Sequence, residues 1–257
     1  MTYALITGGS KGIGKAIAIE LAKKKINLLL VARSPDILQE TATEIKSTYD
    51  VEVDFLATDL ALNNAAETVY NWCCEKKYNI NILVNNAGYG LSGSFVDEPA
   101  ANNANMMQLN MVTTVQLTHI FLPMLKQNPK AYVLNIASSA AYQAVPFLSL
   151  YSASKSFVLS FSRGLSHELK NTSVSVTCIS PGPTATDFNS RASLNEKATK
   201  AAEKFSVPPT SVAVIAVKAM FAGKREVIVG FVNKLSAFGA WLLPKGFIEN
   251  TAAGIYK

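Results

Sequence analysis

The amino-acid sequence predicts an α/β fold, in which a single Rossmann-type, doubly wound parallel sheet of about seven strands carries helices on both faces. Short β-rich apolar runs alternate with segments of helical period as far as about residue 180. The chain is 49% hydrophobic and only 16% charged, which is typical of strands that are covered on both faces. We therefore expect one domain over residues 1–257.

The strands are predicted at seven apolar runs, which are residues 3–7, 27–32, 51–57, 81–86, 131–137, 173–179 and 226–230. The helices are predicted between them, at residues 12–25, 35–48, 61–77, 99–127, 151–170 and 208–222. In such a sheet, ligands bind beyond the carboxyl ends of the strands. Functional residues are therefore expected in the loops that follow the strands. The connection 181–207 is longer than usual and polar, and we predict a mobile substrate lid there.

The loop after the first strand reads "TGGSKGIG" and opens the first helix. Gly8 permits a tight turn, Gly12 lets the backbone approach an anion, and Gly14 allows the helix to pack closely on the strand. The free amides of the first helical turn would then face a pyrophosphate. Because the glycines lie in a strand–helix–strand unit, they favour dinucleotide binding over a purely structural turn.

The loop after the second strand indicates which dinucleotide binds. NAD-binding sites place an acidic residue there to hold the ribose 2′-hydroxyl, whereas this chain has Arg33 and Ser34. An arginine suits a 2′-phosphate, and Lys11 in the glycine loop could add a second cation. The nearby Asp36 fits ordinary helix-start chemistry, with Ser34 as N-cap. The sequence therefore favours NADP over NAD.

Two further strand ends carry candidate cofactor contacts. Asp59 follows the third strand in "ATDL", where it could cap the next helix or lie beside an adenine. The motif "NNAG" at residues 85–88 follows the fourth strand, and it could form a turn or line the ribose. The residues alone leave both alternatives open at each position.

The fifth strand ends in "IASS", and Tyr151 comes thirteen residues after Ser138 and four before Lys155. Residues four apart share a helix face, so Tyr151 and Lys155 point toward one pocket. We expect a neighbouring stripe, Leu150, Phe157, Phe161 and Leu165, to anchor the helix to the sheet. A nearby cation favours the phenolate and lowers a tyrosine pKa, which suits proton transfer. Ser152 and Ser154 are given no role.

Composition excludes several other classes of protein. The net charge is +6, but no basic stripe with interleaved aromatic residues indicates nucleic-acid binding. The three cysteines, and also His119 and His167, have no disulfide or metal-ligand spacing, so we expect free thiols and no metal. Strand-like residues begin at the second position, so we expect no targeting segment and a cytoplasmic protein.

Taken together, these residues resemble the short-chain dehydrogenase/reductase superfamily over residues 2 to about 190. The matching marks are "TGGSKGIG", Asp59, "NNAG", Asn110 in "MMQLNMV", Ser138, "YSASK" and "SPGPTATDF". The resemblance implies cofactor contacts from Gly8, Ser10, Lys11, Gly12, Ile13, Gly14, Arg33, Ser34, Asp59, Leu60, Asn86, Ala87, Gly88, Tyr151, Lys155, Pro181, Gly182, Thr184 and Thr186.

The resemblance also implies the catalytic roles. Tyr151 would protonate a carbonyl oxygen while the nicotinamide delivers hydride, and Ser138 would polarise and orient that oxygen. Lys155 would lower the Tyr151 pKa and hold the nicotinamide ribose. Asn110 would hold a water that links Lys155 to solvent. Ser139 is an alternative to Ser138, because a slip of one residue in the strand would exchange the two.

The variable C-terminal region, residues 231–257, resembles that of acyl-chain and steroid ketone reductases. Its apolar face could be a wall of the substrate pocket, an oligomer contact or, less favoured, a membrane-surface contact, and it consists of Phe231, Leu235, Phe238, Trp241, Leu242 and Leu243. By the same resemblance, we expect a homodimer or homotetramer formed through the helices at 99–127 and 151–170.

The sequence thus favours an NADP(H)-dependent oxidoreductase that reduces an apolar or acyl-type ketone. Two alternatives stay open at this point. One is an NAD-linked alcohol or steroid dehydrogenase that works in the oxidative direction. The other is a dinucleotide sensor without catalytic activity, although the complete set of Asn110, Ser138, Tyr151 and Lys155 argues against it.

Overall fold

The computed structural model describes residues 1–186, 188, 192 and 194–256. Its centre is a seven-stranded parallel sheet in the order β3-β2-β1-β4-β5-β6-β7, which confirms the predicted fold class. The strands are β1 (Tyr3–Thr7), β2 (Asn27–Ala32), β3 (Val53–Ala57), β4 (Ile80–Asn85), β5 (Ala131–Ile136), β6 (Val174–Ser180) and β7 (Glu226–Ile228). The order reverses between β1 and β4, where open sheets of this kind bind their ligands.

The described helices connect and cover these strands. They are α1 (Gly12–Ala22), α2 (Pro35–Tyr49), α3 (Ala65–Glu75), α4 (Ala100–Met107), α5 (Thr113–Lys126), α6 (Ser149–Glu168), α7 (Glu196–Lys204), α8 (Pro209–Phe221), α9 (Phe231–Leu242) and α10 (Lys245–Tyr256). Side chains alternate between the two faces along each strand. In β1, Ala4 and Ile6 join the core beneath α1 and α8, whereas Leu5 joins the core beneath α3 and α5.

The predicted helix 99–127 is interrupted at Asn110. A π-helical turn, Gln108–Val112, separates α4 from α5. Such turns insert one extra residue and are frequent at functional sites. Asn110 is buried in this turn, so its side chain points into the protein near the end of β4. Sequence periodicity did not reveal this change, because the apolar pattern continues on both sides of the turn.

Helix α6 packs on the sheet through a different face from the one expected. Phe157 is 40% exposed, and its ring stacks on Phe161 at a centroid distance of 6.2 Å. The buried residues of α6 are instead Tyr151, Ser152, Ser154, Lys155, Val158, Leu159 and Ser162. The expected anchoring stripe was therefore wrong for Phe157, whereas Leu150 and Leu165 do pack against core clusters. The face that carries Tyr151 and Lys155 is the main packed face. Small serines let this face approach the sheet closely.

The C-terminal region forms two helices that were not predicted. Helix α9 buries only Ala240, while Phe231, Leu235, Phe238, Trp241, Leu242 and Leu243 are exposed. These six side chains, all within the described residues, do not line the large cavity at the carboxyl ends of the strands, so the pocket-wall interpretation of this face was wrong. Among the described residues, no helix combines the length and apolar character needed to cross a bilayer.

Candidate active site

A cavity of about 470 Å³ lies beyond the carboxyl ends of the strands, around the reversal of strand order. Its size is in the range of small-molecule and cofactor sites. The cavity brings together residues from opposite ends of the sheet, from Arg33 after β2 to Pro181 after β6. Of the predicted site residues, only Gly14 and Asn110 do not line it, and both support residues that do.

The glycine loop is built for close backbone approach. Gly8 and Gly12 adopt φ angles of 66° and 54°, a region that favours glycine. A Cβ atom on Gly14 would lie 2.1 Å from the Gly8 carbonyl oxygen, so only glycine fits. Helix α1 starts at Gly12 and has no acidic residue in its first turn. The positive end of its dipole therefore faces the cavity without a neutralising charge.

Asn86 holds the glycine loop in place. Its side-chain amide donates to the carbonyl oxygens of Thr7 at 2.9 Å and Gly8 at 3.3 Å. The Thr7 hydroxyl in turn accepts hydrogen bonds from the backbone N–H groups of Asn86 and Ala87. The "NNAG" segment is thus both a turn and a wall of the cavity, where Asn86, Ala87 and Gly88 are all in contact with the open space.

The half of the cavity beside β2 and β3 carries the candidate adenine and ribose contacts. Arg33, Ser34 and Lys11 line it. Ser34 is the N-cap residue of α2 by position, but its hydroxyl makes no capping hydrogen bond. Asp59 lines the same half, and its carboxylate accepts a hydrogen bond from the Ala61 N–H at 3.0 Å. Asp59 therefore stabilises a local turn rather than capping α3, which begins at Ala65.

The other half holds the hydroxyl groups predicted to act on substrate. Ser138 and Tyr151 both line the cavity, and the Ser138 hydroxyl acts to lower the Tyr151 pKa. The Ser138 hydroxyl also accepts a hydrogen bond from the Ala140 N–H at 3.1 Å, which fixes its direction. Ser139 lines the cavity too, but the serine that acts on the Tyr151 pKa is Ser138. The choice of Ser138 over Ser139 stays a prediction.

The protonation states differ from the expectation. Burial raises the pKa of Tyr151 to about 12, and the Ser138 contact only partly opposes this rise. Burial likewise lowers the pKa of Lys155 to about 8. The expected lowering of the Tyr151 pKa by Lys155 is not found, because burial is the largest cause of the shift and the group that lowers this pKa is Ser138. Tyr151 holds its proton at neutral pH, as a general acid must.

Lys155 and Asn110 are positioned by protein partners. The Lys155 ammonium donates to the Ile136 carbonyl at 2.9 Å and lies 5.8 Å from the centre of the Tyr151 ring. The Asn110 amide donates to the Tyr89 carbonyl at 2.9 Å and to the Ser154 hydroxyl at 3.0 Å. Its oxygen accepts from the Tyr89 N–H at 3.1 Å. The Asn110 side chain thus braces the wall, and Ser154 has a structural role.

The segment after β6 closes the cavity on one side. It is lined there by the four residues that the resemblance assigns to cofactor contacts, Pro181, Gly182, Thr184 and Thr186. The Phe188 ring follows them and lies 5.1 Å from the Tyr151 ring, centre to centre. The predicted lid, 181–207, includes residues 187, 189–191 and 193, which lie outside the described residues. Its later part forms α7.

Sequence reasoning missed two contributors to the catalytic half. A Cβ atom on Gly90 would lie 2.8 Å from Phe188 and 3.2 Å from the Tyr151 ring, so this glycine makes room for both rings. Tyr256, at the end of α10, lines the cavity with Tyr151. The second glycine of "NNAGYG" could have indicated Gly90. Tyr256 could not be found from the sequence, because its position depends on how the C-terminal helices fold back on the domain.

In the described part of the chain, no cluster of three or more metal-ligating side chains occurs.

Comparison with known protein families shows which family the chain belongs to. Residues 2–197 match the family model for short chain dehydrogenases. The chain belongs to the short-chain dehydrogenase family. Family members are oxidoreductases that use a nicotinamide dinucleotide. The residues of this short-chain dehydrogenase fit such a group, because the first turn of α1 presents backbone amides to the cavity and Gly14 leaves no room for a side chain.

Individual relatives extend the likeness of this short-chain dehydrogenase. It is 35% identical over 183 residues to a very-long-chain 3-oxoacyl-CoA reductase of Macaca fascicularis, a match that covers 70% of this chain and 58% of the relative. It is 31% identical over 237 residues to the mouse 17-beta-hydroxysteroid dehydrogenase type 3, which covers 91% and 76%. A Sphingobium yanoikuyae short-chain dehydrogenase in complex with NADPH superimposes with a TM-score of 0.82, at 26% identity, and covers 94% and 93%.

Proposed function

We propose that this short-chain dehydrogenase is an NADP(H)-dependent oxidoreductase that transfers hydride between the nicotinamide and a carbonyl or secondary alcohol, and that it reduces an apolar or acyl-type ketone. The observation that carries the proposal is that Ser138, Tyr151 and Lys155 line one cavity beyond the carboxyl ends of the strands. Two hydroxyl donors that converge on one point can bind a single carbonyl oxygen.

In this proposal the bound nicotinamide supplies the hydride, and the chain supplies the proton and its placement. Tyr151, protonated at neutral pH, donates its proton to the carbonyl oxygen as negative charge develops there. Ser138 donates a hydrogen bond to the same oxygen and fixes its position. Lys155, held by the Ile136 carbonyl, places a positive charge beside the phenolate that remains. The roles of Asn110 as a water holder and of 181–207 as a lid stay predictions.

The apolar lining supports the proposed substrate class. Tyr89, Ala140 and Phe188 line the cavity and pack in the same hydrophobic cluster as Tyr151, and Leu194 and Ala202 add further apolar lining. The matched relatives are named for 3-oxoacyl-CoA and steroid substrates, and both names describe compounds with a large apolar chain or ring system. This chain spans less than two thirds of the length of the first of these relatives, so its substrate is inferred from the cavity together with these names.

The reductase activity is tested by NADPH oxidation with a panel of apolar and acyl-type ketones. Wild-type protein is expected to oxidise NADPH only when a ketone is added. The Tyr151→Phe variant keeps the ring but loses the proton donor, and we expect its kcat/KM to fall by at least about 100-fold. Comparable turnover by that variant would remove Tyr151 from the mechanism.

The preference for NADP(H) rests on the half of the cavity near β2. Arg33 makes no ion pair within the described residues, and the Ser34 hydroxyl is not used for capping. Both are therefore available for a 2′-phosphate. The Arg33→Ala variant should bind NADPH at least about ten-fold more weakly and NADH unchanged. Equal affinity of the wild type for both dinucleotides would favour the NAD-linked alternative.

We further propose that the protein forms a homodimer or homotetramer through α5 and α6, in the cytoplasm. The partly exposed Phe157 and Phe161 on α6 support this contact, since exposed stacked aromatic side chains are typical of interface cores. The exposed face of α9 provides a second apolar surface, for another subunit or, less favoured, a membrane surface.

A further inference from the structure

The last described helix, α10, brings a second phenol into the catalytic half of the cavity. Its Ala252 is buried in the hydrophobic cluster that contains Tyr151. Tyr256 packs against the same cluster and lines the cavity. Tyr151 and Tyr256 therefore line the same part of the cavity, although they are far apart in the sequence.

Helix α10 is held in this position by a neighbouring helix. It packs on α7, which contributes Ala202 to the cavity. The Lys197 ammonium donates a hydrogen bond to the Gly254 carbonyl, near the end of α10. This contact places a cation at the negative end of the helix dipole, which is favourable. Tyr256 thus comes from a positioned element rather than from a loose terminus.

The chemistry of the Tyr256 hydroxyl restricts what it can bind. Burial raises its pKa, so the phenol is neutral at physiological pH and presents one O–H donor. Tyr256 and Tyr151 share one hydrophobic cluster and one cavity lining, and Tyr256 also contributes to the raised pKa of Tyr151. The surrounding walls are mainly apolar, and they suit a neutral oxygen acceptor better than a charged group.

We propose that Tyr256 is a specificity-determining residue whose hydroxyl donates a hydrogen bond to a second, uncharged oxygen of the substrate. The preferred ketone then carries a carbonyl or hydroxyl oxygen a few bonds from the reacting carbonyl. This inference rests on the proposed reductase function and narrows its substrate class. Tyr256 does not act on the reacting oxygen, which Ser138 and Tyr151 hold.

Two matched ketones test the inference. Ethyl 3-oxohexanoate and nonan-4-one have the same backbone length and the same ketone position, but only the first has a second carbonyl oxygen. For each ketone, kcat/KM is measured with NADPH for the wild type and for Tyr256→Phe. The ratio of the two values cancels the different intrinsic reactivity of the ketones. Tyr49→Phe, which removes the same hydroxyl at the end of α2 and outside the cavity, is the control.

For Tyr256→Phe we expect kcat/KM to fall about five-fold with ethyl 3-oxohexanoate and to stay unchanged with nonan-4-one. The loss should come through KM, because the lost bond holds an oxygen that does not react. Retained turnover of nonan-4-one shows that the variant is folded. Equal effects on both ketones, or none on either, would overturn the assignment of Tyr256 alone. A wild type that reduces neither ketone would overturn the proposed function as well.

Discussion

At the scale of single residues, burial decides the chemistry of the site more than charge does. Tyr151 and Lys155 are both buried, and burial disfavours the charged form of each group. Motif spacing predicts that the two residues share a face, but the spacing contains no information about hydration. The spacing therefore placed the two residues on one face, and both line one cavity, whereas the direction of the Tyr151 pKa shift needed the packed structure.

The lowered pKa of Lys155 makes stability depend on pH. The folded protein releases this proton near pH 8, while the unfolded chain holds it up to the ordinary value of 10.5. Between these values the unfolded state binds more protons, so the free energy of unfolding rises with pH, by at most about 3 kcal/mol for this group. The buried thiols of Cys73 and Cys178 have raised pKa values and act in the opposite direction in both proteins, so the test is the difference between the wild type and Lys155→Met. In urea denaturation across that window, the free energy of unfolding of the wild type should rise relative to that of the variant. Parallel curves for the two proteins would contradict the burial of a titrating Lys155.

At the scale of elements, the strands were predicted well and the helix interruptions were not. Each predicted strand overlaps an observed one, because buried parallel strands are nearly continuous apolar runs. The π-helical turn around Asn110 leaves no mark in the apolar pattern. Helices α9 and α10 were predicted only as a variable region, since α9 exposes most of its apolar residues and does not follow the pattern of a core helix. The contribution of Tyr256 to the site was missed for this reason.

The glycine loop and α1 form an element whose geometry can be tested. In Gly14→Ala, the new Cβ atom must displace the Gly8 carbonyl, which lies 2.1 Å from its ideal position. We expect the free energy of unfolding to fall by about 1–3 kcal/mol and NADPH binding to weaken in parallel. Gly164→Ala is the matched control in α6, since nothing lies within 4 Å of its Cβ position, and it should be neutral or slightly stabilising. Chemical denaturation and NADPH titration measure both effects, and an unaffected Gly14→Ala would refute the close-packing argument.

At the scale of the whole molecule, the sheet order explains why residues from the entire chain meet at one site. Arg33 and Tyr151 lie on opposite sides of the β1–β4 boundary, so an extended dinucleotide can reach both. The sequence predicted this arrangement because the loops after parallel strands share one edge of the sheet. It could not predict which apolar surfaces remain exposed, because exposure depends on how the helices pack together.

Two exposed apolar surfaces make different predictions for assembly. If subunits meet at α6, Phe157→Glu places a charge in the contact, and light scattering should show a smaller particle than the wild type. Phe238→Glu is the matched control on α9, where the phenylalanine is 54% exposed, and it should leave the particle size unchanged. The opposite result, with Phe238→Glu alone reducing the size, would place the contact on α9 instead.

The central claim is that hydride passes from the nicotinamide to a carbonyl carbon held by Ser138 and Tyr151. It is tested most directly with NADPH that carries deuterium at both C4 positions and nonan-4-one as substrate. Mass spectrometry of the product should show a secondary alcohol with one deuterium on the carbinol carbon, formed by the wild type and not by Tyr151→Phe. An alcohol without deuterium, or no alcohol from any ketone of the panel, would contradict the claim.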